Sequence, residues 1–99
     1  MQAVTLIVYR GRDNALELSF TEDGQPKAAS SLSKVELHFD NGKVVSSVEY
    51  PQLFDLGSVA KVKLGLASVP KGEWSIGVVG FDEQAPNGLV YGTLPVTIV

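Results

Sequence analysis

The stretch Val35-Glu36-Leu37-His38-Phe39-Asp40-Asn41-Gly42-Lys43-Val44-Val45 decides the fold class. Val35, Leu37 and Phe39 alternate with Lys34, Glu36 and His38, which is the two-residue period of a strand with one buried face. Asn41-Gly42 then separates this run from Val44 and Val45. Asn-Gly between two strand-like runs predicts a β-hairpin, with a type I′ turn because both residues tolerate positive φ.

The same period recurs on both sides. Towards the N-terminus, Leu16, Leu18 and Phe20 alternate with Ala15, Glu17 and Ser19, and from Ala3 to Tyr9 the residues Val4, Leu6 and Val8 alternate with Thr5, Ile7 and Tyr9. Arg10-Gly11-Arg12-Asp13 between them is expected to turn the second strand back on the first. Thr21 to Ser31, with Asp23-Gly24 and Pro26, lacks periodicity and is expected to be a loop joining two layers. Towards the C-terminus, Tyr50 to Gly57 breaks the alternation at Pro51, which predicts an edge crossing or loop with Phe54 plugging the core. Val62, Leu64 and Leu66 against Lys61, Lys63 and Gly65 predict a fifth strand. Pro70-Lys71-Gly72 predicts a turn, and Trp74, Ile76 and Val78 the inward face of a sixth strand, with Ser75, Gly77, Val79 and Phe81 opposite. The last strand places Val90, Leu94, Val96 and Ile98 inward and Leu89, Tyr91, Thr93 and Thr97 outward, Pro95 marking an unpaired or bulged side.

Seven short strands, 14 valines and no helical period predict an all-β fold, an antiparallel two-sheet sandwich in a single domain covering 1–99. A chain of 99 residues can bury one core without help from a metal or a disulfide, and it contains no cysteine. The N-terminus lacks the basic and apolar regions of a signal peptide, so a cytoplasmic product is expected. No apolar run approaches the ~18 residues of a membrane span. Eight Lys and Arg are scattered among eleven Asp and Glu, for a net charge of −3, which points to neither a membrane nor a nucleic-acid partner.

From Leu66 to Val99 the order of features resembles the last third of an immunoglobulin-like or fibronectin type III-like domain. A proline-glycine turn at Pro70-Lys71-Gly72 precedes Trp74, standing where those families open their sixth strand with an aromatic. Val35 to Gly42, Phe54-Asp55, Gly72-Glu73-Trp74 and Asn87-Gly88-Leu89-Val90-Tyr91-Gly92 are similar to small immunoglobulin-like domains of bacteriophage and prophage tail or baseplate proteins. That resemblance implies a virion building block or adapter that assembles with copies of itself or with other virion proteins and has no catalytic activity. The middle of the chain departs from antibody-type domains in lacking the inter-sheet cysteine pair and a tryptophan on the third strand.

The residues themselves carry no catalytic signature. His38 is the single histidine, and no Gly-x-Ser-x-Gly elbow accompanies it, so no hydrolase base beside a nucleophile is expected. One histidine without cysteine makes no transition-metal site, and Glu22-Asp23, Asp40-Asn41 and Asp82-Glu83 lack the ligand spacing of a calcium loop. Phosphate-binding glycine motifs are absent, and no cofactor is expected. The functional expectation is an interface. If the first, sixth and seventh strands are neighbours, Ile7, Tyr9, Val79, Phe81, Leu89 and Tyr91 form one apolar stripe, larger than a monomer leaves in water. The alternative is a carbohydrate-binding or adhesive module using Tyr50, Phe54 and Tyr91 as sugar-stacking aromatics.

Overall fold

The β-hairpin forms where Asn41-Gly42 places it. In the structure, a computed structural model that describes residues 6–99, β5 (Lys34–Phe39) pairs with β6 (Val44–Ser46), Leu37 opposite Val45 and His38 opposite Val44. The turn differs from expectation. Gly42 has φ 92° while Asn41 is not left-handed, and the Gly42 N–H donates to the Phe39 carbonyl at 3.0 Å. This is a three-residue loop closed by a left-handed glycine rather than a type I′ turn.

The remaining strands are β1 (Leu6–Val8), β2 (Leu16–Leu18), β3 (Phe20–Glu22), β4 (Gln25–Lys27), β7 (Phe54–Leu56), β8 (Ala60–Val62), β9 (Gly72–Phe81) and β10 (Leu89–Ile98). They make a five-stranded sheet in the order β1-β10-β9-β5-β6, a three-stranded sheet β2-β8-β7, and a separate ladder β3-β4. The fold is all-β, with 3₁₀ turns at Ala29–Ser31, Pro51–Leu53 and Leu64–Leu66. No helix among the described residues is long and apolar enough to cross a membrane.

Several expectations change. The five-stranded sheet is mixed rather than antiparallel, because β1 runs parallel to β10 with Leu6 opposite Val96 and Val8 opposite Ile98. The first two strands do not hairpin: β2 pairs with β8 in the other sheet. Asp23-Gly24 is itself a tight hairpin turn, with φ 52° and 78°, so the expected loop contains β3 and β4. The strand expected through Leu66 stops at Val62, and β7 occupies part of the expected crossing. There Leu53 fills the core, while Phe54 is half-buried against it. Ala3 to Thr5 of the first expected strand lie outside the described residues.

One hydrophobic cluster joins the sheets. Val35, Leu37, Phe39, Ile76, Val78, Leu94, Val96 and Ile98 from the five-stranded sheet meet Leu16, Leu18, Ala60 and Val62 from the three-stranded one. Trp74 is half-buried on the margin of this cluster, its ring edge-on to Phe39 at 5.8 Å and its Nε1–H donating to the Pro70 carbonyl at 3.0 Å.

Alternation fails at one point with consequences for the surface. Val90 opposes Val79 and Gly92 opposes Val78, so Tyr91 is an extra residue on β10. Beyond this bulge Leu94, Val96 and Ile98 point inward as expected. Before it the parity is reversed, and Val90 is 72% exposed instead of buried.

Candidate interaction surface

The two sheets present different outer faces. Across the three-stranded sheet the outward row is Glu17, Lys61 and Asp55, all exposed, a charged surface suited to water. The outer face of the five-stranded sheet is chiefly apolar and hydroxylic. Ile7 lies beside Thr97, Pro95 beside Ser75, Thr93 beside Gly77, and Val90 beside Val79. A shallow hollow of about 320 Å³ on the β9–β10 pair is lined by Glu73, Ser75, Pro95 and Thr97 among others.

Charge on this face lies at Glu73 on β9 and in one column on β5. Glu36 has its Oε1 2.9 Å from His38 Nε2 and its Oε2 3.3 Å from Lys34 Nζ. Partial burial opposes ionisation of Glu36, but the bonds to His38 and Lys34 outweigh it and hold the carboxyl below its ordinary 4.5. Lys34 also lies 4.1 Å above the Phe81 ring centre, a cation–π contact.

The six residues expected to form one stripe separate into three groups. Ile7 and Tyr9 are 58% and 53% exposed at the end of the sheet where β10 finishes, and Val99 is exposed beside them. The backbone continues the β1–β10 ladder there, Val99 N–H donating to the Val8 carbonyl at 2.9 Å and Arg10 N–H to the Val99 carbonyl at 3.1 Å. Val79 and Phe81 lie at the opposite end with Val90, and the length of β10 from Val90 to Thr97 corresponds to roughly 20 Å. Leu89, expected outside, is opposite Gly80, whose position faces Tyr91 and Leu32, so it lies on the other face of the sheet from Val90 and is 42% exposed at its end. Val79 and Phe81 are half-buried because Gly88 lies against them: a Cβ at Gly88 would fall 2.6 Å from Val79 Cγ1 and 2.8 Å from Phe81 Cε2. Tyr91, expected outside, turns inward through the bulge and meets Phe20 edge-on at 5.1 Å, its hydroxyl buried without a partner among the described residues. The stripe is therefore two patches. Val90 and Val99 are the members that alternation missed; Val99 follows from the inward position of Ile98, whereas Val90 depends on the bulge.

The aromatics expected to bind sugar are not arranged as a platform. Tyr50 and Phe54 are half-buried against the core and Tyr91 is packed on Phe20. A hollow of about 260 Å³ borders Phe54, with Ala15, Gln52, Leu53, Asp55, Lys61 and Lys63 as its other walls. Among the described residues, no group of three or more His, Cys, Asp or Glu is placed to hold a metal ion.

One buried-edge ion cluster fixes the loop between β9 and β10. Lys27 Nζ donates to Asp82 Oδ2 at 2.8 Å and to Glu22 Oε2 at 2.9 Å, tying the β3–β4 hairpin to the loop. Asp82 Oδ1 accepts from the Gln84 and Ala85 N–H groups at 2.9 and 2.8 Å. The bond from Lys27, then that from Ala85, holds the Asp82 carboxyl below its ordinary 3.8, and the two carboxylates raise Lys27 above 10.5. The depressed Asp82 and Glu36 contribute stability above their unfolded values and lose it as pH falls through their folded ones. The raised Lys27 contributes below 10.5 and loses it as pH rises through its folded value. Thermal unfolding midpoints are therefore expected to fall below about pH 4, and less steeply in Lys27→Met, where Asp82 has no cation to lose. An acid limb equally steep in that variant places the sensitivity at other carboxylates.

The chain matches no protein-family description, no curated protein and no solved structure.

Proposed function

We propose that this chain is a non-enzymatic structural or adapter domain that assembles through the outer face of its five-stranded sheet. The observation that carries this reading is the difference between the two outer faces: Glu17-Lys61-Asp55 on one sheet, and on the other two apolar patches at Ile7-Tyr9-Val99 and Val79-Phe81-Val90. Exposed aliphatic and aromatic side chains grouped on one face are the composition of a protein contact, and mobile charge is what a solvated face carries.

The strand orders β1-β10-β9-β5-β6 and β2-β8-β7 around one core support an immunoglobulin-like sandwich as the architecture. With the sequence resemblance, this favours a bacteriophage or prophage tail or baseplate type of domain, whose partners are further copies of itself or other virion proteins. The test is sedimentation of the wild type and of Ile7→Lys/Val90→Lys. The wild type is expected to exceed the 10.6 kDa of one chain and the variant to return to it; a wild type that stays at one chain, or a variant of unchanged oligomeric mass, overturns the proposal.

A further inference from the structure

The chain contains two Asn-Gly pairs, Asn41-Gly42 and Asn87-Gly88, and the fold holds their side chains differently. In both pairs the asparagine is exposed and the glycine is left-handed, with φ 92° at Gly42 and 86° at Gly88. Each glycine N–H donates to the carbonyl three residues earlier, Gly42 to Phe39 at 3.0 Å and Gly88 to Ala85 at 3.1 Å. As backbones, the two turns are alike.

Asn41 is held by its side chain as well. Its Oδ1 accepts from the Lys43 N–H at 2.9 Å, the bond an asparagine makes to its own backbone two residues on. The Phe39 N–H donates to the Lys43 carbonyl at 2.8 Å, and His38 pairs with Val44 just beyond, so the turn is closed on both flanks. Asn87 lies in the loop between β9 and β10, where Asp82 supplies the side-chain bonds, its Oδ1 accepting from the Gln84 and Ala85 N–H groups. The Asn87 side chain makes no hydrogen bond among the described residues.

A glycine nitrogen is the least shielded of backbone nucleophiles, because no Cβ stands beside it. An asparagine side chain that turns without breaking a bond brings its Cγ against that nitrogen. We infer that Asn87 is a site of spontaneous deamidation, at which the folded chain modifies itself with water as the co-reactant. The Gly88 nitrogen gives its proton to solvent and attacks Cγ of Asn87; the new N–Cγ bond closes a five-membered imide, and the side-chain nitrogen takes a proton from solvent and leaves as ammonia. Water then opens the imide. Cleavage at Cγ restores the ordinary backbone with an aspartate side chain. Cleavage at the main-chain carbonyl carbon leaves an isoaspartyl residue, whose backbone runs through Cβ and Cγ and is one atom longer.

The extra atom has nowhere to go without movement. A Cβ at Gly88 would fall 2.6 Å from Val79 Cγ1 and 2.8 Å from Phe81 Cε2, so lengthening the chain here displaces either the glycine or the two side chains it covers. Either product also adds a negative charge to a loop that already holds Asp82 and Glu83. This chemistry does not depend on how the chain assembles.

The experiment keeps the folded chain in warm, mildly alkaline heavy-oxygen water and follows both Asn-Gly pairs by peptide mass spectrometry, with electron-transfer fragmentation to separate isoaspartate from aspartate. Position 87 is expected to take up heavy oxygen roughly fivefold faster than position 41, the factor that the net contribution of one hydrogen bond is worth. Asn87→Gln is expected to remove the fast phase, because the longer side chain would have to close a six-membered imide, and Asn41→Gln to leave it. Both positions are exposed, so the fold is expected to survive either change. In urea the two asparagines are expected to convert at one rate.

Equal rates in the folded chain, or a faster Asn41, overturn the inference, since the bond from Lys43 then protects nothing. A folded chain that stays unchanged at position 87 while the urea-unfolded chain converts also overturns it, because the Gly88 bond to Ala85 then keeps the nucleophile out of reach. A preference for Asn87 that persists in urea assigns the difference to neighbouring residues and removes the role of the fold.

Discussion

Phe20→Ala is expected to destabilise the domain by about 3–5 kcal/mol, a large share of the 5–15 kcal/mol that holds a domain of this size. Phe20 is 2% exposed at the start of β3, where the chain leaves the three-stranded sheet for the separate β3–β4 ladder. Its ring supports Tyr91 from below, edge-on at 5.1 Å, and Tyr91 is the bulged residue that sets the parity of β10. Removing the ring opens a cavity and leaves Tyr91, whose hydroxyl has no partner to hold it, with one wall fewer. Urea unfolding measures the loss, and hydrogen exchange is expected to quicken through residues 20–27 as well as around Tyr91. Phe20→Leu, which fills more of the space, is expected to cost less than half as much. A loss below about 1 kcal/mol for alanine would show that the site collapses around the change and that Tyr91 is held by other contacts.

Gly65→Ala is expected to cost about 2–4 kcal/mol although it adds a single methyl group. A Cβ at Gly65 would run into the carbonyl of Tyr9, and would sit 3.4 Å from that of Arg12, both backbone atoms that no rotamer change can move. The Gly11 N–H donates to the Gly65 carbonyl at 2.9 Å, so the two segments are bound at the same point. Relief requires the end of β1 to shift away from the 3₁₀ turn at Leu64–Leu66. Because that end carries Tyr9, Arg10 and Arg12, self-association is expected to weaken along with stability. Gly57→Ala is the control: its Cβ would approach nothing nearer than the Val59 carbonyl at 3.8 Å, and a change within about 0.5 kcal/mol is expected. Equal losses in the two variants would indicate a general cost of replacing glycine rather than this collision.

Much of the fold is legible because alternation decides it. Lys34–Phe39 and the stretch from Leu94 to Ile98 sort inward and outward as a period of two requires, and the Asn41-Gly42 hairpin is where the turn residues put it. What escapes is pairing between distant segments. Arg10 to Asp13 has the composition of a hairpin turn, yet β1 joins β10 and β2 joins β8; the choice is made by which edges the core leaves open, and local composition carries no record of it. The candidate surface was half legible for the same reason. Ile7 and Tyr9 needed only the period of β1, whereas Tyr91 and Val90 exchange places because of one inserted residue that no turn signal announces.

That inserted residue sets the phase of everything around it. A change in loop length between Asp82 and Gly88 leaves the faces of β10 as they are, since the count from Gly92 to Ile98 is anchored by the partners on both flanks. Loss of one residue between Val90 and Gly92 restores an unbroken ladder, drives an aliphatic chain towards Phe20 or leaves the space below it empty, and takes the aromatic ring out of the interior. The outward chemistry of the Val79–Val90 end of the sheet is thus encoded by spacing as much as by side-chain identity: two sequences with the same residues here, one position out of step, would show their neighbours different surfaces.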